Sequence, residues 1–384
     1  MPSLPGPDPR SVAGRLVLDD AVVPGRLSIE DGVIVAVEPD ESEAGGSFVA
    51  PGFVDVHVHG WGGHDAMGTV ADLDGMARAL LRHGVTSFLP TAVTASVDTL
   101  RAFADRVRFW MPKAPGDGAE PLGFNLEGPC IAVKRKGAQN PDFIVAASDV
   151  PPGAWEPLLA GMRIMTVAPE PPGNLELIRW LAAHGVVPSI GHSEATLEEA
   201  RAGYAASHAA GGRTTTTHLF NAMSGVSHHA PGLAVAALTD DAAYVELIAD
   251  GHHVHPSLWP IITRTKPADR LVLVTDALSI AGTPPGTAVL GGLAIENRGD
   301  RATLAGSDTL AGSVIALDTA VRNLARSGVP LPRAVAAASR NPLALIGVGD
   351  RGRIAVGQRA DLVELDDDLR VVRVARAGAW FAGA

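Results

Sequence analysis

Two histidines one residue apart, His57 and His59, sit at the end of the apolar run 53–58. Alternate side chains of a strand share a face, so both imidazoles can reach one ion. Further along, Glu127, His192 and His218 each follow an apolar run, Asp250 and His253 follow another, and Asp276 follows the last. Imidazole and carboxylate are ligands for a hard-to-borderline divalent metal, and a Glu can bridge two ions. A single strand-end His is more often structural than a ligand, and His83, His184, His208 and His255 are read that way. Asp276 taken alone could cap a helix. Suitable ligands at five run ends together are not explained by structural use. The sequence therefore predicts one or two divalent ions, Zn first with Fe or Mn as alternatives, on His57, His59, Glu127, His192, His218 and Asp276.

Those residues can meet only if the runs before them are strands of one sheet. The region 51–344 alternates strand-like and helix-like segments, with apolar runs at 53–58, 85–91, 122–126, 163–168, 186–190, 214–217, 244–249 and 271–275. About eight parallel strands with helices between them make a (β/α)8 TIM barrel, whose active sites lie where the strand C-termini converge. Two helices are well marked. In 69–83, Leu73, Met76 and Leu80 share a face, with Thr69 as N-cap and Gly84 as the C′ residue; in 174–184, Leu177, Ile178 and Leu181 do so, with Asn174 as cap and Gly185 as terminator. Both chain ends read as short strands, at 14–17, 25–29, 33–37 and 47–49 and again at 353–355, 360–365 and 371–376, with Asp31-Gly32 as a hairpin turn. Neither end has enough strands for a domain. The expected organisation is an α/β chain with a small β-sandwich from 1–50 and 345–384 around a barrel at 51–344.

At 384 residues the chain exceeds the roughly 250 a barrel uses, which leaves room for that second unit. A net charge of −11, spread along the chain, excludes nucleic acid as a partner but not a small anionic substrate, which needs only a few local cations. One cysteine, Cys130, rules out an intrachain disulfide and fits a reducing compartment; it reads as a small buried residue. The Pro-rich segment 1–10 lacks an apolar signal core, and no apolar run approaches the ~20 residues of a membrane span, so a cytoplasmic protein is expected.

Longer motifs carry a family likeness. Pro51-Gly52-Phe53-Val54-Asp55-Val56-His57-Val58-His59-Gly60, Val274-Thr275-Asp276-Ala277 and Gly357-Gln358-Arg359-Ala360-Asp361-Leu362-Val363 resemble the amidohydrolase superfamily. More specific stretches resemble the N-acetylglucosamine-6-phosphate deacetylases within it. These are Asn125-Leu126-Glu127-Gly128-Pro129, Gly191-His192-Ser193, Thr217-His218-Leu219-Phe220-Asn221-Ala222-Met223, Ala249-Asp250-Gly251-His252-His253-Val254 and Thr309-Leu310-Ala311-Gly312-Ser313.

The resemblance implies that Glu127, His192 and His218 are the shared metal ligands, that His57 and His59 allow a second ion, and that Asp276 is the catalytic acid-base. Substrate-contacting positions match Asn221, Ala222, His253, Leu310, Ala311, Gly312 and the segment with Ala138 and Gln139. The implied substrate is an amino-sugar phosphate, and the implied assembly is a homodimer with subunits approaching each other's active sites. Two positions depart. The family's Lys-Gly-Ala-His reads Lys136-Gly137-Ala138-Gln139, and its phosphate-binding Arg position is His229. Gln keeps a donor without charge, and His lacks the permanent, forked charge of Arg. Phosphate recognition is then either weaker than in the family or supplied by His229, His253 and Lys134, Arg135 or Lys136.

The implied reaction is removal of an acetyl group: the metal polarises the amide carbonyl and acidifies water toward a pKa of ~7, while Asp276 accepts the proton and returns it to the leaving nitrogen. A hexosamine without phosphate or of other configuration, or an N-acyl amino acid, keeps the chemistry and changes the substrate. A cyclic-amide hydrolase is disfavoured because Glu127 stands where such enzymes often carry a carboxylated Lys. A non-catalytic binder would not need Asp276.

Overall fold

The computed structural model describes residues 11–384; the segment 1–10, read above as lacking a signal core, lies outside the described residues. The first strands, β1 (Ser11–Val17), β2 (Val22–Glu30) and β3 (Val33–Pro39), pair as an antiparallel meander. Asp31 and Gly32 both adopt left-handed backbone, φ 48° and 77°, as the tight turn between β2 and β3 requires. β4 (Phe48–Pro51) then lies parallel to β1.

The chain passes at once into β5 (Phe53–Val58), the first barrel strand, which is buried at every position. β6 (Val85–Ala92), β7 (Phe124–Glu127), β8 (Met162–Val167), β9 (Val187–Ile190) and β10 (Thr215–Thr216) follow in chain order, each parallel to the one before. β11 (Val245–Leu247) and β12 (Leu271–Leu273) form a further parallel pair. Backbone hydrogen bonds close the ring, among them Thr216 N–H to Tyr244 O at 3.0 Å and Asp276 N–H to His57 O at 2.8 Å. This is the expected (β/α)8 barrel. Its strands are almost wholly buried because one face fills the barrel and the other lies under helices. β11 and β12 are shorter than the runs 244–249 and 271–275, since the chain leaves the ladder there to present site residues.

The helix α1 (Val70–Arg82) has the expected cap: Thr69 accepts from Asp72 N–H, and the Asp72 carboxylate accepts from Thr69 N–H. Gly84 ends it at φ 81°. In α2 (Asn174–Ala183) the expected Asn174 cap is absent, and Gly173, left-handed at φ 79°, stands at the cap. The Asn174 side chain is committed elsewhere. It donates to Cys130 O at 3.0 Å and Ala168 O at 2.8 Å and accepts from Ala147 N–H at 2.8 Å, tying three loops together.

After β12 comes an unforeseen three-stranded antiparallel insertion: β13 (Gly286–Leu290), β14 (Leu293–Asn297) and β15 (Ala302–Leu304). Its apolar side, Leu290, Ile295 and Ala302, packs on Val93, Leu278 and Ala311. The C-terminal strands β16 (Leu362–Leu365), β17 (Val371–Arg376) and β18 (Ala379–Ala382) return to β4, giving one seven-stranded sheet in the order β18-β17-β16-β4-β1-β2-β3. Both chain ends thus build the small β-sandwich, over a core of Leu16, Leu27, Ile34, Val49 and Leu362. The predicted strand at 353–355 is a series of bends between Gly352 and Gly357, although Ile354 still enters that core. β18 was not foreseen. Among the described residues no helix is long and apolar enough to cross a membrane.

The capping box gives a direct test of α1. Thr69→Ala is expected to lower stability by about 1 kcal/mol, seen as a lower denaturant midpoint at unchanged slope.

Candidate metal centre and active site

The strand ends bring the predicted ligands into one buried cluster at the C-terminal mouth. Two groups form, His57, His59, Glu127 and Asp276, and Glu127, His192 and His218, with one donor atom from each residue of a group lying within 4.8 Å of the others. Glu127 belongs to both. Its Oε1 lies 2.9 Å from His192 Nε2, 3.0 Å from His218 Nε2 and 3.6 Å from His57 Nε2, while Oε2 lies 3.2 Å from His59 Nε2. Asp276 Oδ1 stands 3.1 Å from His59 Nε2 and 3.5 Å from His57 Nε2.

Backbone and neighbours aim these groups. His192, His218 and Asp276 have positive φ, 48°, 28° and 51°, which non-glycine residues rarely adopt. Each sharp turn at a strand end swings the side chain inward, and the surrounding structure must hold the strain. Three imidazoles have Nδ1 committed outside the cluster: His57 to Glu246 Oε2 at 3.0 Å, His59 to Thr91 O at 3.0 Å and His192 to Arg135 O at 2.7 Å. Nε2 of each is left facing the centre, the arrangement by which outer partners orient metal-ligating histidines. A buried set of imidazoles and carboxylates converging in this way fits a divalent cation.

The protonation pattern agrees. Burial alone would push His57 down, but the Glu246 hydrogen bond and the charges of Asp276 and Glu127 outweigh it and carry it up to about 9. His59 rises to about 10 against burial, through hydrogen bonds with Asp276 and Glu127. Burial would raise Asp276 and Glu127; their imidazole neighbours reverse this and hold both carboxyls below the usual range. In the metal-free protein, protons thus sit where a cation's charge would go.

Above the cluster lies a cavity of about 470 Å³, of monosaccharide size. His59, Glu127, His192, His218 and Asp276 form its floor, and Ala138, Gln139, Asn221, Ala222 and His253 its wall with Leu310 and Gly312. Lys134 and Arg135 bring positive charge to it, though Arg135 is paired with Glu194 at 2.6 Å. His253 Nδ1 is held by Asp250 Oδ2 at 2.7 Å.

Three predicted residues stand apart from this wall. His57 is wholly buried and does not line the cavity. Ala311 lies behind the wall in the apolar cluster with Val93 and Leu278. His229 is on the exposed segment 225–230, its ring centroid 3.9 Å from that of His228 and tilted to it by 41°, and does not line the cavity of its own chain. Gln139 lines the cavity, but its amide is already engaged: Oε1 accepts from Thr94 N–H at 2.8 Å, and Nε2 donates to Glu127 Oε2. Cys130 is buried off the cavity wall, and burial pushes its thiol up to about 12, which makes it inert.

Sequence reasoning missed two carboxylates. Glu246 sits within β11 behind His57, and its only signal is an acid inside an apolar run. Asp55, two residues before His57, accepts from Thr275 Oγ1 at 2.6 Å and ties the first strand to the last; burial carries it up to about 7.

Comparison with known proteins agrees with this geometry. A model of the amidohydrolase family matches residues 48–381. The N-acetylgalactosamine-6-phosphate deacetylase of Escherichia coli O157:H7 is 38% identical over 368 residues, 93% of each chain. The structure of N-acetylglucosamine-6-phosphate deacetylase from Thermotoga maritima superposes with a TM-score of 0.89 at 33% identity, over 97% of this chain and 100% of that one. An aspartate-to-alanine variant of the Mycobacterium smegmatis enzyme, in complex with N-acetyl-D-glucosamine-6-phosphate, gives 0.88 at 35% identity, over 96% and 98%. With a match over most of its length, the chain belongs to the amidohydrolase family.

Proposed function

We propose that this chain hydrolyses N-acetylglucosamine 6-phosphate to glucosamine 6-phosphate and acetate. One observation carries the reading: six metal-type side chains converge in one buried cluster, and five of them, Asp276 included, form the floor of a sugar-sized cavity. The likeness to enzymes named for this reaction supports the substrate.

Glu127, His192 and His218 would hold one divalent ion and His57, His59, Glu127 and Asp276 a second, with zinc as the first candidate. Such an ion supplies Lewis acidity, acidifying water and polarising a carbonyl. Asp276, kept charged by His57 and His59, takes the proton of the attacking water and returns it to the departing nitrogen. His253, its tautomer fixed by Asp250, presents Nε2 to the sugar. Asn221, Ala222, Leu310 and Gly312 shape the sugar site, with Ala138 and Gln139 on the same wall. Lys134 and Arg135 attract the phosphate. His229 lies outside its own cavity, and we read it as a contribution to a neighbouring subunit's site in a homodimer, with Ala311 supporting the turn between Leu310 and Gly312 from behind. Residues 1–50 and 345–384 are read as the small domain and 51–344 as the hydrolase domain. The lone cysteine fits a cytoplasmic enzyme.

The reading is tested by kcat/KM with Zn, Fe or Mn for N-acetylglucosamine 6-phosphate, its dephosphorylated form and N-acetylgalactosamine 6-phosphate. The first is expected to lead; equal turnover without phosphate, or preference for the galactose configuration, reassigns the substrate. Asp276→Asn is expected to keep its metal and lose about 10²–10⁴-fold in kcat; activity near wild type removes its role. Glu127→Ala and His192→Ala are expected to lose bound metal by elemental analysis. Metal affinity also depends on pH. Ligation needs neutral imidazoles, and in the metal-free protein His57 holds its proton up to about 9 and His59 up to about 10. Metal entry therefore releases protons, and affinity is expected to rise by about an order of magnitude per pH unit for each proton displaced, levelling above that range. A flat calorimetric profile from pH 7 to 9 contradicts this.

A further inference from the structure

Glu246 is wholly buried, and Val245 and Leu247 beside it on β11 are buried too. A carboxylate there is costly unless something offsets its charge. Its Oε2 accepts from His57 Nδ1 at 3.0 Å and from the backbone N–H of His218 at 3.2 Å. Its Oε1 has no hydrogen-bond partner among the described residues. Among the described residues its one ion-pair partner is His57; no Lys or Arg answers it.

A simple structural role does not account for this. If His57 needed only an acceptor for its Nδ1 proton, a neutral oxygen would do, as the carbonyls of Thr91 and Arg135 do for His59 and His192. Of the three, His57 alone is backed by a carboxylate. The two ligand groups explain why. The group of His192 and His218 has Glu127 Oε1 at 2.9 Å and 3.0 Å. The group of His57 and His59 shares that carboxylate, and its other acid, Asp276, is the proton acceptor of the proposed reaction. An anion behind the imidazole makes it a better donor and offsets cationic charge, and such partners change metal affinity by about 10–100-fold. The second hydrogen bond reaches the strained turn at His218, φ 28°, so one carboxylate braces a residue of each group.

We propose that Glu246 is a positioning residue that fixes His57 with its proton on Nδ1 and its Nε2 lone pair toward the centre, and that this carboxylate sets the affinity of the His57/His59 position for a divalent ion. Filling of both positions then depends on a residue that touches neither ion. This rests on the reading that the cluster binds metal.

The test titrates metal-free protein with Co²⁺ against a competing chelator. Wild type is expected to take two ions per chain. Glu246→Gln, isosteric and still able to accept the His57 proton, is expected to keep one ion at wild-type affinity and bind the other about 10–100-fold more weakly. In a His57→Ala background the same substitution is expected to add no further loss, because both changes act on one position. The thermal midpoint of the metal-free variant reports folding separately. Two ions bound as tightly as in wild type, or an equal further loss in the His57→Ala background, overturn the proposal and leave the metal-dependent reading intact. Uptake of a single ion by wild type overturns it too, whereas no uptake at all removes the metal reading itself. Should the Gln variant not fold, histidine ¹⁵N spectra of the zinc-loaded wild type carry the test: a slowly exchanging, hydrogen-bonded Nδ1 proton on His57 is expected, and a metal-bound Nδ1 or a freely exchanging proton overturns the assignment.

Discussion

Everything at the mouth of this barrel is arranged around one carboxylate. Glu127 faces His192 and His218 with one oxygen and His59 with the other, while Gln139 donates to the second from outside. His192 Nε2 and His218 Nε2 lie only 3.0 Å apart, and His57 Nε2 and His59 Nε2 only 3.3 Å. Buried imidazoles at such distances would repel if both were protonated and would leave lone pairs opposed if neither were. A shared anion, with a proton or a cation between the donors, is what makes the packing tolerable. Replacing Glu127 by a neutral acceptor would remove the one carboxylate that faces both imidazole pairs.

That requirement explains features of the fold that propensity does not. The strained backbone at His192, His218 and Asp276 is stable only because the barrel leaves those residues nowhere else to go. The ring is closed at this same point: Asp276 N–H bonds to His57 O, and Asp55 bonds to Thr275, so ligands of the first and last strands are tied by the bonds that complete the barrel. A shift of one strand would move a ligand by about 3.3 Å, more than the cluster tolerates. The seven-stranded terminal sheet shares in this, since its strand β4 ends where β5 begins and anchors the strand that leads to both histidines.

The barrel and the convergence of these side chains were legible because both obey simple periodicities. His57 and His59 fall on one side of their strand because alternation is strict, and Glu127, His192, His218 and Asp276 meet them because polar residues after apolar runs collect at one face. Tertiary demands hid the rest. Asn174 has the chemistry of a cap, yet the loops around Cys130, Ala147 and Ala168 claim its amide. Glu246 sits inside a run whose neighbours are all apolar, and nothing local says that the space beside it holds an imidazole. The insertion 286–304 lacks a strong alternating pattern, because only Leu290, Ile295 and Ala302 meet a core. Gln139 read as a weakened substrate contact; its commitment to Thr94 and Glu127 follows only from the three-dimensional site.

The two departures from the family pattern therefore differ in kind. Gln139 is held at both ends of its amide, so the loss of a charged side chain is balanced by a fixed donor on the ligand carboxylate. The orientation matters there, and a neutral donor suffices because the imidazoles already supply positive charge. At His229 the reverse holds. A phosphate is recognised by charge more than by any single geometry, and at the edge of an open cavity that charge can come from several side chains. Lys134 and Arg135 stand at the wall, so positive charge reaches the cavity without His229, which lies on an exposed segment away from it.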